Sequence, residues 1–269
     1  MFNPFLPQKT KIIDVYLDAP QVKVFTLKPE KETIFEAGQF LELSIPKVGE
    51  APFAFCSSQY NSKQFQIAVQ EKGIVTSALF HKRQGDYVAV RGPYGRGFPL
   101  KKLAHKNLLI VAGGIGLAPL RSVILSILHR RASYKKVQLF YGTKCEEYRI
   151  FEKEFPSWQK RGIDVKVTLD QCQLQWKKNI GVITTLFDKY KTVKHALAFV
   201  VGPPIMYKFV LERLKRLKFK DDEIYLSLER RMHCGIGICQ HCALTNGKYV
   251  CKEGPVFAWA EIKNLPNVI

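Results

Sequence analysis

Long apolar runs are missing from this chain. Its most hydrophobic stretch, LLIVAGGIGLAPL (108–120), is broken by glycines. It falls short of the roughly 18 consecutive apolar residues that a membrane-spanning helix needs. The opening MFNPFLPQKTK has no basic start followed by an apolar run, so no secretory leader is expected. Both absences predict a soluble, cytoplasmic chain with no membrane span. Thiols stay reduced in that compartment, so clustered cysteines read as metal ligands before disulfides. Neither an internal repeat nor a low-complexity segment is present. Acidic residues are scarce, 23 Asp and Glu against 42 Lys and Arg, for a net charge of +19. Residues 105–225 hold 23 basic and 11 acidic side chains, against 14 and 9 in residues 1–104 and 5 and 3 in residues 226–269. Such a basic segment can attract an anionic nucleotide or an acidic partner. The charges are scattered and no nucleic-acid-binding motif accompanies them, so no nucleic-acid partner is expected and the lysines read as a solvated surface.

What the chain does have is enough apolar material for real cores: 269 residues, 46% hydrophobic and 12% aromatic, sufficient for one large domain or two ordinary ones. The first hundred residues carry short strand-like runs, KIIDVYLDA, VKVFTLKP, QFLELSIP, QFQIAVQ and DYVAVRG. Each is bounded by residues that punctuate strands, and the spacing suggests a small antiparallel barrel or sandwich. One helix interrupts them, GIVTSALFHKR, which opens at a glycine and ends in basic residues. After Pro99 the pattern changes. Strands NLLIVAGG, KVQLFYG, DVKVTLD, ALAFVVGPP and EIYLSLE alternate with helices APLRSVILSILHRR, RIFEKEFPSWQKR, ITTLFDKYK and IMYKFVLERLKRL. That alternation predicts a parallel sheet wound by right-handed crossovers. From about Arg230 the regular pattern stops and a cysteine-rich tail begins.

Two glycine turns in the second half carry chemistry. VAGGIGLAPLRS follows a strand and opens a helix, so Gly113, Gly114 and Gly116 permit a tight turn, and the helix amides face an anion such as a pyrophosphate. VVGPPIMYKF is a second strand-to-helix turn, stiffened by Pro203 and Pro204 after Gly202. In a parallel sheet both turns lie at the carboxyl ends of strands, where ligands bind. The tail holds Cys234, Cys239, Cys242 and Cys251 in a Cys-x4-Cys-x2-Cys…Cys pattern, the plant-type [2Fe–2S] spacing. Gly235 and Gly237 remove side-chain bulk, so amides can point at sulfur. Zinc sites favour two short knuckles separated by a longer loop, and only one short pair is present. His233 and His241 do not follow the Rieske arrangement and read as surface groups. Cys56 reads as a small buried hydrophobe, and Cys145 and Cys172 as isolated residues in turns.

The segments GGIGLAPLRS and VGPPIMYK resemble the pyridine-nucleotide lobe of the ferredoxin–NADP reductase superfamily. GEAPFAFCSS, KGIVTSALF and GDYVAVRGPYGRGF resemble that family's flavin barrel and hinge. The resemblance implies a six-stranded antiparallel flavin-binding barrel (1–101), a Rossmann-like NAD(P)-binding α/β lobe (102–229) and an irregular [2Fe–2S]-binding segment (230–269). It implies FAD contacts at Pro52, Phe53, Ala54, Ala68, Val69, Gln70, Gly73, Val75 and Thr76. It implies NAD(P)H contacts at Gly113, Gly114, Gly116, Ala118, Pro119, Gly202, Pro203 and Pro204. No side chain is assigned to catalysis, since hydride transfer belongs to the flavin. Two departures from the family pattern stand out. Val201 occupies a position where the family often has Cys, and Ala51-Pro52-Phe53-Ala54 replaces an Arg–x–Tyr–Ser pattern. The arginine that would neutralise a flavin pyrophosphate is therefore absent there.

The stretch SLERRMHCGIGICQHCALTNGKYVCKEGPVF narrows the branch. With VGEAPFAFCSS and GPYGRGFP, it closely resembles the gamma subunits of soluble NiFe hydrogenases (sulfhydrogenases). The electron-transfer subunits of anaerobic sulfite reductase and of dihydroorotate dehydrogenase are more distant matches. So is the small subunit of the bifurcating NADH-dependent ferredoxin–NADP oxidoreductase. The function so implied moves electrons between NAD(P)H and a partner enzyme through FAD and [2Fe–2S]. The implied partners are NiFe hydrogenase small and large subunits and an iron–sulfur subunit, since nothing here resembles NiFe ligands. The alternatives are service to sulfite reductase or dihydroorotate dehydrogenase, or a non-redox docking subunit with a structural zinc tail. For the choice of NAD or NADP, Lys144 and Arg149 would suit a 2′-phosphate, whereas Glu146 and Glu147 would suit a ribose hydroxyl.

Overall fold

The computed structural model describes residues 3–171, 176 and 178–269. Cys172 lies outside the described residues. Among them no helix is long and apolar enough to cross a membrane.

The amino-terminal sheet is antiparallel and six-stranded. Its strands are β1 (Gln8–Ala19), β2 (Val22–Pro29), β3 (Phe40–Ile45), β4 (Gly49–Ala54), β5 (Phe65–Gln70) and β6 (Tyr87–Tyr94), in the order β4-β3-β6-β1-β2-β5. A bridge between Phe55 and Ile67 brings the two edges together, so the sheet curls into a barrel. Alternation along β5, Phe65, Ile67 and Val69 in and Gln66, Ala68 and Gln70 out, fixes which face meets the core. Inside, Phe35 stacks on Phe55 at 4.0 Å between ring centroids, and Phe65 meets Phe55 edge-on. Each such fully buried aromatic contributes about 2–3 kcal/mol of burial free energy. Helix α1 (Ile74–Phe80) crosses between β5 and β6.

The second sheet has seven strands in the order β10-β9-β8-β7-β11-β12-β13. These are β7 (Asn107–Gly113), β8 (Val137–Thr143), β9 (Ile163–Leu169), β10 (Asn179–Ile180), β11 (Ala196–Val201), β12 (Ile224–Ser227) and β13 (Val256–Ala258). All pairings are parallel except β12 with β13. Strands β7, β8 and β11 are almost wholly buried, which is why their sequences run apolar rather than alternate. Helices α2 (Leu117–His129), α3 (Phe155–Lys160), α4 (Thr185–Lys189) and α5 (Pro204–Arg216) flank the sheet, and α2 is buried along nearly its whole length. The cysteine loop has no helix or strand of its own before α6 (Val250–Glu253). Beyond it the tail supplies β13, antiparallel to β12, and then α7 (Trp259–Ile262). The tail is therefore stitched into the nucleotide-side sheet.

Barrel and lobe share one continuous core, in which Ala19, Val22, Val24, Cys56 and Phe98 join Leu117, Val123 and Phe199. Arg121, on α2, reaches across to donate to the Cys56 carbonyl at 2.7 Å and Gln66 Oε1 at 2.8 Å. Its other side pairs with Glu154 at 2.8 Å. Asp18 of β1 accepts from the Phe151 amide at 2.6 Å. These bonds fix how the two sheets face each other, and hence the seam between them.

Candidate functional site

Two neighbouring cavities lie along that seam, and Gln70 and Ile115 border both. The first, about 410 Å³, is walled by Pro52, Phe53 and Ala54 of β4, by Ala68 and Gln70 of β5, and by Lys72 and Thr76. The lobe closes it with Gly116, Ala118, Pro119, Val201, Ser227 and Leu228, and the tail with Arg230, Met232 and Pro255. Six of the nine expected flavin contacts thus line one space. Val69 points into the barrel core and is fully buried, leaving only its backbone for a ligand. Gly73 and Val75 sit in the adjoining turn. There the Gly73 amide is not free, because it donates to Thr76 Oγ1 at 2.8 Å, as Lys72 does at 2.9 Å. The first-turn amides of Ile74, Val75 and Thr76 remain, since a helix start has no upstream carbonyls for them.

The second cavity, about 800 Å³, opens at the carboxyl ends of β7, β8, β9 and β11. Gly113, Gly114 and Pro203 line it, as do Thr143, Lys144, Asp170, Met206 and Phe209. The expected nucleotide residues therefore divide. Gly116, Ala118 and Pro119 face the first cavity, while Gly202 and Pro204 line neither. The glycines divide too. A Cβ on Gly116 would come 2.6 Å from the Val201 carbonyl oxygen, and one on Gly113 would come 2.7 Å from Met206 Sδ. Gly202 is 3.2 Å from the Gly113 Cα by the same measure. These three permit the two turns to pack against each other. Gly114 differs, with φ +53° and nothing within 4 Å of a Cβ, so its backbone borders open space.

Charged groups near this cavity resolve differently from their sequence reading. Arg149 is bound to Glu146 at 2.7 Å and Glu152 at 2.8 Å, and its guanidinium lies over the Trp176 ring. Lys144 and Asp170 are the charged side chains that line the cavity among the described residues. Burial raises the Asp170 carboxyl above its ordinary range. Sequence reasoning missed Asp170, although it ends the run DVKVTLD at a strand's carboxyl end, where ligands gather. It also missed Lys72 and the tail's Arg230 and Met232, which only the folded chain brings to the flavin-side cavity.

The four tail cysteines gather as two pairs. The Cys239 amide donates to the Cys234 sulfur, and the Cys251 amide to the Cys242 sulfur. Among the described residues no three His, Cys, Asp or Glu side chains converge on a single-ion site. Backbone amides point at the sulfurs: Gly237 to Cys251 Sγ at 3.2 Å, Ile238 and Cys239 to Cys234 Sγ at 3.3 and 3.5 Å, and Cys251 to Cys242 Sγ at 3.4 Å. Gly235 and Gly237 hold left-handed φ of +76° and +80°, which let the loop turn those amides inward. Burial pushes the Cys234 thiol up, but the amides of Cys239, Ile236 and Ile238 outweigh it and the thiol lies below its ordinary range. The His241 amide does the same for Cys239. Burial pushes Cys251 well up. His233 and His241 pack edge to face at 4.7 Å beside the loop. An amide-lined, two-pair thiol set fits a multi-iron cluster, whose sulfurs need such donors. Of the remaining cysteines, Cys56 is fully buried and its thiol is pushed up to about 12 by burial, while Cys145 is buried beside Glu147.

Residues 229–263 match the family model described as the iron–sulfur cluster binding domain of dihydroorotate dehydrogenase B, and residues 110–212 match the oxidoreductase NAD-binding domain. Sulfhydrogenase 2 subunit gamma of Pyrococcus furiosus is 35% identical, with 96% of each chain covered. A probable dihydroorotate dehydrogenase B (NAD(+)) electron transfer subunit of the same organism is 32% identical over 96% of this chain and 92% of its own length. In fold, the chain is similar to a solved NADH-dependent reduced ferredoxin–NADP oxidoreductase chain, with TM-score 0.78 and 24% identity over 96% of this chain and 89% of that one.

Proposed function

From the premise that the chain belongs to the ferredoxin–NADP reductase superfamily, in the branch that carries the dihydroorotate dehydrogenase B iron–sulfur domain, we propose a specific electron path. As a member it is a flavin- and NAD-binding oxidoreductase of the electron-transfer-subunit kind, with an iron–sulfur binding tail. The finer reading is that it serves as the gamma subunit of a cytoplasmic NiFe hydrogenase of the sulfhydrogenase type, with FAD and a [2Fe–2S] cluster as its cofactors. The segments 1–101, 102–229 and 230–269 would hold FAD, NAD(P)H and the cluster respectively. Identity of 34–35% to two sulfhydrogenase gamma subunits over 96–99% of this chain supports that choice of partner.

The observation that carries the path is the shared wall of the two cavities. Gln70 and Ile115 border both, so ligands in the two spaces would meet there. When bound, a flavin takes a hydride from nicotinamide and an iron–sulfur cluster accepts electrons singly. The chain's own residues supply the geometry. Gly114 leaves room for a dinucleotide backbone contact, and Pro52 and Ala54, on the outward face of β4, give an apolar wall for an aromatic ring, while the Phe53 side chain packs in the barrel core on the opposite face. The first-turn amides of α1 and the Lys72 ammonium offer positive charge where the family's arginine is missing. Arg230, Met232 and Pro255 cover the same cavity from the cysteine side, so the flavin space borders the tail directly. Cys234 with Cys239, and Cys242 with Cys251, would each hold one iron.

The test is cofactor analysis of full-length protein purified without oxygen. The proposal expects extractable FAD and, per chain, two irons with two acid-labile sulfides. It also expects flavin bleaching on addition of NADH or NADPH, and copurification with hydrogenase subunits from the native source. Zinc in place of iron, or no flavin, would overturn it.

A further inference from the structure

The barrel grips the cysteine loop through one buried arginine. Arg91, on β6, is 8% exposed. Its guanidinium has five N–H donors, and each has an acceptor. Nε and Nη2 donate to Glu50 Oε1 and Oε2 at 2.8 and 2.5 Å. Nη2 also donates to the His233 carbonyl at 2.6 Å, and Nη1 donates to the Cys234 carbonyl at 2.5 Å and to Tyr94 Oη at 3.2 Å. The Tyr94 ring lies against Gly235, where a Cβ would come within 2.7 Å of it. The loop is thus held at its first cysteine by a charged fork whose opposite side is anchored on β4 through Glu50.

The same strands reach the flavin-side cavity. Arg91 pairs across the ladder with Glu42, and Glu42 pairs with Pro52, which lines that cavity. Arg91, Glu42 and Pro52 therefore form a row across three adjacent strands, with the cysteine loop at one end and the flavin wall at the other. A hydrogen-bonded sheet is stiff along such a row, whereas a glycine-rich loop without helix or strand is not.

We propose that Arg91 is a positioning residue for electron transfer: with Glu50 as counter-ion, it fixes the Cys234 end of the iron–sulfur loop at a set distance from the flavin wall. Its positive charge on a ligand's carbonyl also favours the reduced, more negative cluster, so it holds the cluster potential up. This rests on the reading that the tail holds a cluster. A lysine keeps the charge but not the planar fork, so charge and geometry separate experimentally.

The test uses the full-length, cofactor-loaded protein with Arg91→Gln, Arg91→Lys and the double variant Arg91→Gln/Glu50→Gln. Three readouts are taken: hydrogen–deuterium exchange of amides 233–239, the cluster midpoint potential from an electron paramagnetic resonance titration, and NAD(P)H-driven flavin bleaching. Arg91→Gln is expected to speed loop exchange by about tenfold, the loss of roughly 1.4 kcal/mol of charge-assisted bonding. It should also shift the midpoint to lower potential and leave bleaching unchanged. Arg91→Lys should recover the potential while the loop stays unprotected. The double variant, with no net change of charge, should leave the loop unprotected and bring the potential only part of the way back, because the Arg91 charge stands nearer the loop than that of Glu50. Should Arg91→Gln not fold, Arg91→Lys alone decides, through loop exchange at a near-native potential. Native exchange and native potential in Arg91→Gln, or native exchange in Arg91→Lys, would overturn the inference. A parent protein that binds no iron would instead overturn the proposed function, and the metal analysis reads that separately.

Discussion

Glu42 lies beside Arg91 across the β3–β6 ladder, yet Arg91 gives all five of its hydrogen bonds elsewhere. Both Glu42 carboxyl oxygens are buried without a hydrogen-bond partner among the described residues. Burial pushes this carboxyl from its ordinary value of 4.5 up to about 8, although Arg91 nearby pulls the other way. Between those two values the folded protein holds a proton that the unfolded chain has lost. Stability contributed by this site is therefore full below pH 4.5 and falls as pH rises toward 8. Glu42→Gln removes that loss. The variant is expected to exceed its parent by on the order of 2 kcal/mol at pH 8.5, with the advantage shrinking toward pH 5. Urea melts at several pH values check this, and parallel pH profiles for the two proteins would show that Glu42 does not carry the effect.

The glycine turns separate packed positions from one that borders open space. Gly116→Ala forces a Cβ to 2.6 Å from the Val201 carbonyl, a backbone atom that cannot swing aside. It is expected to destabilise the fold by about 2–3 kcal/mol. Gly114→Ala meets nothing, so its cost is the left-handed φ alone, about 1 kcal/mol. Its expected signature is a raised KM for NAD(P)H with a nearly native melting temperature. Equal thermal losses in the two variants would reject the division.

Coenzyme preference should follow Lys144 and Asp170, the charges that line the larger cavity among the described residues. Lys144→Ala is expected to lower kcat/KM for NADPH relative to NADH by about fivefold, and Asp170→Ala to shift the ratio the other way. Arg149→Ala should leave the ratio unchanged, because its ion pairs with Glu146 and Glu152 already engage it. A changed ratio in Arg149→Ala would return that residue to the nucleotide.

Cys239→Ser should spare flavin reduction by NAD(P)H while abolishing onward electron delivery. Stopped-flow bleaching, set beside reduction of a one-electron acceptor docked at the tail, separates the two steps. Normal delivery would assign the cysteines a structural role.

Much of this was legible in the sequence because it is local. GGIG sits between a strand and a helix in the sequence as it does in the fold, and the four cysteines announce themselves by spacing. The run QFQIAVQ, named from its pattern as a strand, is β5 in the fold. What stayed hidden was long-range. Arg91 meets Cys234 across 143 residues, and Arg121 meets Cys56 across 65. Composition near either residue carries no trace of its partner. The three-residue strand β13 is too short for a periodic signal, yet it ties the tail to β12. The sequence could not separate Gly114 from Gly113 and Gly116 either, since their different uses depend on what stands opposite each. Arg149 and Glu146 looked like rival nucleotide contacts and prove to be each other's partners.

The most direct measurement of the central claim is one anaerobic sample of the full-length protein titrated with NADH or NADPH, followed by visible absorbance and by electron paramagnetic resonance. The account predicts that flavin bleaching is accompanied by the signal of a reduced [2Fe–2S] cluster. A colourless protein containing zinc, or bleaching with no cluster signal, would contradict it.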